Sequence, residues 1–174
     1  MKAYQITSPT GLDALQLVDL PQPEPGPGEI LVRIRACSIN YRDLAMPRGG
    51  YPRNDKMPLI PLSDGAGDVV AVGSGVTEFV EGDKVAGCFF QDWEDGMPTE
   101  KQFRTALGGG VDGVLAEYVI FAERGAVKIP AGYSYEQAAS LPCAAVTAWH
   151  ALTKAETRPG QTVLILGTGG VSLF

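Results

Sequence analysis

Short apolar runs separated by turn residues fill the first 130 positions of this chain. The runs are rich in Val and Ile, and Gly, Pro or Asp cluster between them, which is typical of short β-strands. Many short strands at close spacing predict a barrel or a sandwich. The proline-dense stretch 21–30 predicts an extended connector that leads into the longest strand. The predicted strands are LQLVDL (15–20), EILVRIRACSI (29–39), GDVVAVG (67–73), GDKVAGC (82–88), LAEYVIFA (115–122) and AVKIP (126–130).

The segment 91–113 interrupts this strand pattern. It carries many charges, a proline and a triple glycine at 108–110. This composition predicts an exposed loop. Two interpretations of the loop stay open: a mobile surface insertion without chemistry, and a lid over a binding site.

The pattern becomes alanine-rich and helical after residue 130. Ser134 followed by Gln137 has the spacing of a capping box, which marks the start of a helix. Pro142 predicts a kink or break between two helical pieces. The sequence therefore predicts a helical connector over 131–160.

A continuous apolar run, TVLILG (162–167), leads directly into a glycine-rich turn. Such a run is typical of a strand buried on both faces of a parallel sheet. In a dinucleotide-binding unit, the glycines after this strand let the backbone approach a pyrophosphate. The other interpretation is a left-handed glycine turn of the kind that can follow any buried strand. The dinucleotide-binding motif is GxGxxG, and Ser172 stands at its third glycine position. The candidate cofactor-binding residues here are Gly167, Thr168, Gly169, Gly170 and Val171.

Composition and charge are ordinary for a folded, acidic protein. Apolar residues make up 45% of the chain, charged residues 20%, and the formal net charge is −6. An acidic chain lacks the basic patch that nucleic acids and anionic membranes select, so we expect neither partner. The N-terminus lacks a basic region followed by an apolar run, and we expect a cytoplasmic protein. The three cysteines are scattered without a CxxC pair and predict reduced thiols.

Six stretches, taken in order along the chain, resemble the medium-chain dehydrogenase/reductase superfamily. The resemblance implies a fold that is mainly β with α, in which a GroES-like catalytic barrel (1–130) and the helical connector precede an α/β Rossmann domain. It implies that 161–174 holds only the first strand and turn of that domain, so that the chain is truncated just inside it. The stretches are GPGEILVRIRACSINYRDL (26–44), PLIPLSDGAGDVVAVGSGV (58–76), GDKVAG (82–87), LAEYVI (115–120), AASLPCAAVTAWHAL (138–152) and TVLILGTGGV (162–171).

The positions that hold zinc in the metal-dependent relatives differ in this sequence. By resemblance, Asn40 stands where those relatives have a cysteine and Ser63 where they have a histidine, while Asp64 and Cys143 match an acid and a cysteine. Asn and Ser are poor zinc ligands, and three cysteines cannot build the four-cysteine structural zinc lobe of some relatives. The resemblance therefore implies the zinc-independent, quinone oxidoreductase-like branch, with no metal site. Two interpretations of Cys143 stay open: a metal or catalytic pair with His150, and a packed helix residue.

The segment SINYRD (38–43) supplies most of the candidate catalytic residues. Asn40, Tyr41 and Arg42 follow a strand end and open a short helix, and by resemblance they face the nicotinamide ribose and phosphates. Asn40 and Tyr41 are expected to orient cofactor and substrate, and Arg42 to offer charge, while Asp43 is expected to be a structural salt-bridge partner. Tyr51 resembles a tyrosine of the substrate cleft in quinone-reducing relatives, and packing on the barrel as a turn aromatic is its other interpretation.

Two further hydroxyl residues are considered with this site. Thr147 matches a threonine that contacts the nicotinamide ring in the superfamily, and its hydroxyl fits equally well a hydrogen bond to the carbonyl four residues before it. Ser63 next to Asp64 invites a nucleophile-and-acid interpretation. We discount it because no histidine completes a triad and because the glycines of DGAG (64–67) predict a barrel turn.

The resemblance implies an NAD(P)H-dependent, zinc-independent oxidoreductase that reduces a conjugated carbonyl or quinone by hydride transfer. The cofactor is NADP or NAD, with NADP slightly favoured by the resemblance. We expect the fragment to be inactive by itself. A homodimer of the full-length protein stays open, because family members commonly dimerise through the half that this chain lacks. Two other functions stay open: a non-catalytic GroES-like binding module, and a zinc-dependent alcohol dehydrogenase with atypical ligands.

Overall fold

A curled antiparallel sheet dominates the computed structural model, which describes residues 1–50 and 57–174. Its strand order is β6-β3-β4-β5-β7, and a separate two-stranded sheet pairs β1 with β2. The prediction of a mainly β fold with some helix is confirmed, and the sheet forms a half-barrel. The strands in the described residues are β1 (Lys2–Ile6), β2 (Leu15–Asp19), β3 (Glu29–Ser38), β4 (Asp64–Val72), β5 (Lys84–Gly87), β6 (Tyr118–Ala122) and β7 (Ala126–Lys128).

The inside of the half-barrel is filled by branched and aromatic side chains. β3 is the longest strand, and it pairs with β4 from Ile30 to Ser38 and with β6 from Glu29 to Arg33. Its residues Ile30, Leu31 and Val32 are buried. The fully buried members of this core include Ile30, Val32, Val69, Val85, Val114 and Phe121.

Two strand predictions need correction. β1 was not predicted, because Lys2–Ile6 has few apolar positions; it is held by pairing with β2 and by a hydrogen bond from the Tyr4 amide to the Leu115 carbonyl at 3.0 Å. The DGAG motif is the start of β4 and not a turn. Its glycines serve close approach, because a Cβ on Gly67 would lie 2.0 Å from the Arg33 carbonyl oxygen.

The prediction of an exposed loop over 91–113 is wrong for its second half. Residues 107–109 are buried, and Leu107 packs in the main core. Glycine makes this possible, since Gly108 has a φ of +65° and a Cβ on Gly110 would lie 2.0 Å from the Arg104 carbonyl oxygen. The first half holds the short helix α2 (Glu100–Phe103) on the surface.

Helices follow the half-barrel where the alanine-rich pattern predicted them. The capping box is confirmed, because the Gln137 amide donates to Ser134 Oγ at 3.2 Å and the Ser134 amide to Gln137 Oε1 at 2.9 Å. The predicted break at Pro142 is a π-helical turn between two α-helices. None of the helices in the described residues is long and apolar enough to cross a membrane. These elements are α3 (Tyr135–Ala139), the π-helix (Leu141–Ala145), α4 (Val146–Lys154) and α5 (Gly170–Leu173).

The apolar run 162–167 forms no strand ladder in the described part of the chain. Strands are stable only when neighbours satisfy their backbone groups, and no neighbouring strand is paired with this run. Its side chains are therefore exposed, with Leu164 at 85% and Leu166 at 86% of their maximal accessibility.

Candidate active site

The start of α1 (Tyr41–Ala45) places the SINYRD residues directly after the end of β3. Asn40 is the N-cap residue, and its amide N–H donates to Asp43 Oδ2 at 2.8 Å, which is half of a capping box. Burial raises the pKa of Asp43, against the lowering effects of this hydrogen bond and of Arg42. The cap fixes the direction in which the Asn40 side chain leaves the backbone.

Asp64 is the centre of a fully buried polar cluster at the start of β4. Its Oδ1 accepts the Ser63 hydroxyl at 2.5 Å, and its Oδ2 accepts the backbone N–H of Cys143 at 3.1 Å. Burial raises the pKa of Asp64 above its ordinary value, although the hydrogen bonds from Ser63 and Cys143 and the nearby Asn40 amide partly oppose the rise. The carboxylate thus joins the half-barrel to the π-helix.

The Asn40 side-chain amide is a buried donor at this cluster. Asn40 Nδ2 lies close enough to lower the pKa of Asp64, yet it is buried and makes no hydrogen bond of good geometry within the described residues. A buried donor without a good partner costs free energy, and such groups are uncommon outside functional sites. Within the described residues, the hydrogen-bonding capacity of Asn40 Nδ2 is therefore left unused.

Arg42 lies inside the wall of the site rather than in an open cleft. Its guanidinium is buried, donates through Nη2 to the Leu107 carbonyl at 2.7 Å, and lies 4.5 Å from the centre of the Phe89 ring. Arg42 Nε is 3.8 Å from Asp43 Oδ1, so Asp43 is the salt-bridge partner that the sequence predicted. The buried turn at Gly109 packs beside this side chain, since a Cβ on Gly109 would make an ordinary contact of 3.6 Å with Arg42 Nη1.

The remaining candidate residues are exposed or lie outside the described residues. The Tyr41 side chain is 86% exposed, and Tyr51 falls in the segment 51–56 that the structure does not describe. Thr147 is exposed, and its Oγ1 donates to the Cys143 carbonyl at 2.6 Å, which is the backbone interaction that the sequence allowed. No contact in the structure tests the predicted roles of these residues.

The glycine-rich turn lies beside the π-helix. A Cβ on Gly170 would be 3.7 Å from the Ala144 Cβ, so the turn and the Cys143 segment are neighbours. Gly167 has a φ of +82°, and nothing lies within 4 Å of a Cβ placed on Gly169. This open, left-handed turn fits close approach of a phosphate-bearing cofactor at 167–171.

An apolar cavity of about 480 Å³ lies between the half-barrel and the helical segment that follows it. It shares Phe89 with the surroundings of Arg42 and shares Pro142 with the π-helix. Sequence analysis did not single out this cavity, because its walls come from distant segments. Its apolar lining includes Phe89, Phe90, Trp93, Leu141, Pro142 and Val146.

Comparison with known proteins identifies the domain. Residues 26–131 match the family model of the alcohol dehydrogenase GroES-like domain. The chain belongs to this family. It is similar to a zinc-type alcohol dehydrogenase-like protein of Schizosaccharomyces pombe, with 43% identity over 169 residues, which are 95% of this chain and 49% of that protein.

Solved structures agree with this assignment. A structure described as a putative alcohol dehydrogenase from Sinorhizobium meliloti is 40% identical, has a TM-score of 0.88, and is matched over 99% of this chain and 51% of that one. The quinone oxidoreductase from Coxiella burnetii is 30% identical, with a TM-score of 0.73 over 92% of this chain and 46% of that one. The chain spans about half the length of the relatives it matches.

The candidate site holds two side chains of the kinds that bind zinc, Asp64 and Cys143. A catalytic zinc takes three protein ligands from His, Cys and carboxylates, and the described residues contain no group of three such side chains that could hold a metal ion. At this cluster, both oxygens of Asp64 are already hydrogen-bonded, and burial raises the pKa of the Cys143 thiol, which disfavours the thiolate. His150 is exposed on α4.

Two polar residues near the site, Asp68 on β4 and Tyr135 on α3, were not singled out from the sequence. The Tyr135 hydroxyl donates to Asp68, four residues beyond Asp64 on β4. The only signal in the sequence was the even spacing of two acids on one strand. Their common attachment to the helical segment depends on tertiary structure.

Proposed function

We propose that this chain is the catalytic-domain part of an NAD(P)H-dependent, zinc-independent oxidoreductase that reduces a conjugated carbonyl or quinone by hydride transfer. The observation that carries the proposal is the donor set at the four positions that bind zinc in metal-dependent relatives. It consists of a buried amide donor on Asn40, a Ser63–Asp64 pair engaged in hydrogen bonds, and a single thiol on Cys143.

The chemistry that this donor set supports is modest anion stabilisation. Hydride added to a simple carbonyl carbon leaves a strongly basic alkoxide, for which a metal or a strong acid is the usual stabiliser. Hydride added to the β-carbon of an enone, or to a quinone, leaves an enolate or phenolate, which is less basic. Asn40 Nδ2 can donate a hydrogen bond to that oxygen. The apolar cavity lined by Phe89 and Trp93 suits the ring of such a substrate.

The cofactor is a nicotinamide dinucleotide, with NADP slightly favoured. When bound, it supplies the hydride. Thr147 and the turn at 167–171 are the residues of this chain that would hold it, because they lie together beside the π-helix. Tyr41 and Tyr51 are proposed to contact cofactor or substrate, and the homodimer and the cytoplasmic location remain proposals for the full-length protein.

The full-length gene product tests this function directly. We expect NADPH or NADH to bind, as measured by nicotinamide fluorescence, and turnover with enones and quinones to exceed turnover with simple alcohols by a wide margin. Zinc measured by elemental analysis after dialysis is expected to be well below one equivalent. A product that binds neither cofactor, or that folds without turnover on any of these substrates, contradicts the proposal and favours a non-catalytic binding module.

Asn40→Ser is the sharpest variant for the role of Asn40. Serine is an equally good N-cap residue, so helix α1 keeps its cap, but the shorter side chain loses the amide donor. Loss of one oxyanion donor is expected to lower kcat by roughly 10²–10³-fold. The control is Thr153→Ala on the exposed face of α4, which is expected to leave kcat unchanged. Equal kcat values for Asn40→Ser and wild type would exclude the role.

A zinc-dependent alcohol dehydrogenase is the second candidate, because the relative from Schizosaccharomyces pombe is named as zinc-type. It predicts stoichiometric zinc after dialysis and loss of alcohol oxidation on chelation.

For residues 1–174 alone, the proposed oxidoreductase function predicts no NADPH-dependent turnover, because within the described residues the run 162–167 has no partner strands to hold the glycine turn in place. Turnover by this polypeptide would contradict that expectation.

A further inference from the structure

Two carboxylates on one face of β4 hold the two ends of the segment that carries Cys143. Residues two apart on a strand share a face, so Asp64, Ala66 and Asp68 lie on the same side of β4. Asp64 Oδ2 accepts the Cys143 N–H at 3.1 Å, and the Tyr135 hydroxyl donates to Asp68 Oδ1. The segment from Tyr135 to Cys143 is therefore attached to one strand at both ends.

Small side chains fill the space between these two attachments. Ala66 is fully buried and packs against Ala138 and Ala139 of α3, which are also buried. The absence of larger side chains at these three positions lets the helix lie close to the strand. The two hydrogen bonds can therefore form at the same time only if α3 stays in this position.

Asp68, which accepts the hydrogen bond from Tyr135, is itself held by nearby cations. Arg35 Nε donates to Asp68 Oδ2 at 2.7 Å, and Lys84 Nζ lies 5.1 Å from the centre of the Tyr135 ring. Arg35 occupies the irregular position of β3 where the pairing with β4 shifts by one residue. This bulge turns the Arg35 side chain toward the carboxylate.

The segment from Tyr135 to Cys143 includes the first part of the π-helix, which leads into the candidate site. A π-turn has one extra residue in its hydrogen-bonded loop, so its position depends on what holds its ends. Because Thr147 Oγ1 donates a hydrogen bond to the Cys143 carbonyl, a shift of Cys143 moves Thr147 as well. We propose that Tyr135, through its hydrogen bond to Asp68, is a positioning residue that sets the place of Cys143 and Thr147 in the active site; this role rests on the proposed function.

The variant Tyr135→Phe tests the proposal, since it removes the hydroxyl and keeps the ring over Lys84. Hydrogen exchange of individual amides measures local opening separately from global unfolding. We expect exchange of the Cys143 amide to become about tenfold faster or more, as for the loss of a hydrogen bond to a charged group. Amides of β3 and β4 are expected to exchange as in the wild type.

The control is Tyr133→Phe, which removes the same hydroxyl from an exposed tyrosine just before α3 and is expected to change nothing. Asp68→Asn is the second variant, and its effect on Cys143 exchange is expected to be non-additive with Tyr135→Phe, because both disrupt one contact. Unchanged exchange at Cys143, or faster exchange throughout the chain, would overturn the proposal.

Kinetics of the full-length gene product give a second readout. We expect Tyr135→Phe to lower kcat about tenfold, because misplacement of Thr147 disturbs reactant alignment, while KM for the carbonyl substrate changes less than about twofold. An unchanged kcat together with faster Cys143 exchange would overturn the positioning role. If the wild-type product binds neither NADPH nor NADH, the proposed function fails, and the exchange pattern alone decides whether Tyr135 holds Cys143.

Discussion

At the scale of single residues, two carboxylates on one face of β4 have opposite electrostatic surroundings. Asp64 is fully buried, and burial raises its pKa more than its hydrogen bonds lower it. Burial also acts to raise the pKa of Asp68, but hydrogen bonds from Tyr135 and Arg35 and the charge of Lys84 outweigh it, and the pKa is lowered. The difference arises because the partners of Asp64 are mostly neutral and those of Asp68 include cations.

The two carboxylates should therefore affect stability in opposite directions as pH changes. A carboxyl with a raised pKa stabilises the fold in its protonated form, below its unfolded pKa of about 4, and loses that contribution as pH rises through its folded pKa. A carboxyl with a lowered pKa contributes above about pH 4 and loses the contribution as pH falls through its folded pKa.

We expect Asp64→Asn to gain unfolding free energy relative to wild type as pH rises above about 4, where the wild-type protein loses the contribution of protonated Asp64. We expect Asp68→Asn to lose unfolding free energy relative to wild type as pH rises toward about 4 from below, where wild-type Asp68 ionises. Urea unfolding of both variants and the wild type at several pH values measures this. Parallel pH dependences for the two variants would contradict it.

The residue types at the site could be predicted from the sequence, but their surroundings could not. The NYRD segment indicated Asn40 and Arg42 together. Only packing shows that the Arg42 guanidinium is buried against Phe89 and the Leu107 carbonyl, from segments 47 and 65 residues away. Contacts over such separations leave no periodic signal in the sequence.

At the scale of elements, glycines decide how closely segments approach. Gly67 lies in β4 where the backbone of β3 crosses, and the position leaves no room for a side chain. A composition rich in glycine predicted turns, and several are turns. The glycines of β4 and of 108–110 instead serve packing, which local sequence cannot distinguish.

Gly67→Ala is expected to lower the free energy of unfolding by about 3 kcal/mol, at the upper end for overpacking, because its Cβ would lie 2.0 Å from the Arg33 carbonyl oxygen. Gly50→Ala is the matched control, since its Cβ would lie 3.7 Å from its nearest neighbour, the Ala45 carbonyl oxygen. We expect it to stay within about 0.5 kcal/mol of wild type. Guanidinium unfolding of both variants and the wild type measures the change in the free energy of unfolding. Equal decreases for Gly67→Ala and Gly50→Ala would refute the packing explanation.

The helical connector shows how far an element can be predicted. Its cap at Ser134 and its break at Pro142 were predicted from side-chain chemistry that acts within a turn. The π-helical form of the break was not predicted. The segment around this break is hydrogen-bonded to Asp64 and Asp68 of β4, which are far from it in sequence.

At the scale of the whole molecule, the run 163–166 is an exposed apolar segment. Leu164 and Leu166 are almost fully exposed, and α4 also exposes Trp149 at 76%. Apolar segments with unpaired backbone groups promote association. The fold therefore leaves this apolar segment exposed to solvent.

Residues 1–174 in isolation are expected to self-associate through this segment. The double variant Leu164→Lys and Leu166→Lys adds charge and removes apolar surface, so it should lower the apparent mass at concentrations on the order of 100 μM. Sedimentation velocity measures this, with the exposed substitution Met97→Lys on the half-barrel as the control. A monomeric wild-type chain at that concentration would contradict the expectation.

The sequence by itself determined the strands β2 to β7, the cap at Ser134, the break at Pro142, and the residue types of Asn40, Ser63, Asp64 and Cys143. These features depend on alternation, on capping chemistry and on identity at single positions, all of which are local. Tertiary structure decided that Arg42 is buried, that β4 begins at Asp64, and that Tyr135 and Cys143 are held by one strand. Those outcomes depend on which distant segments exclude water together, and that is a property of the packed chain.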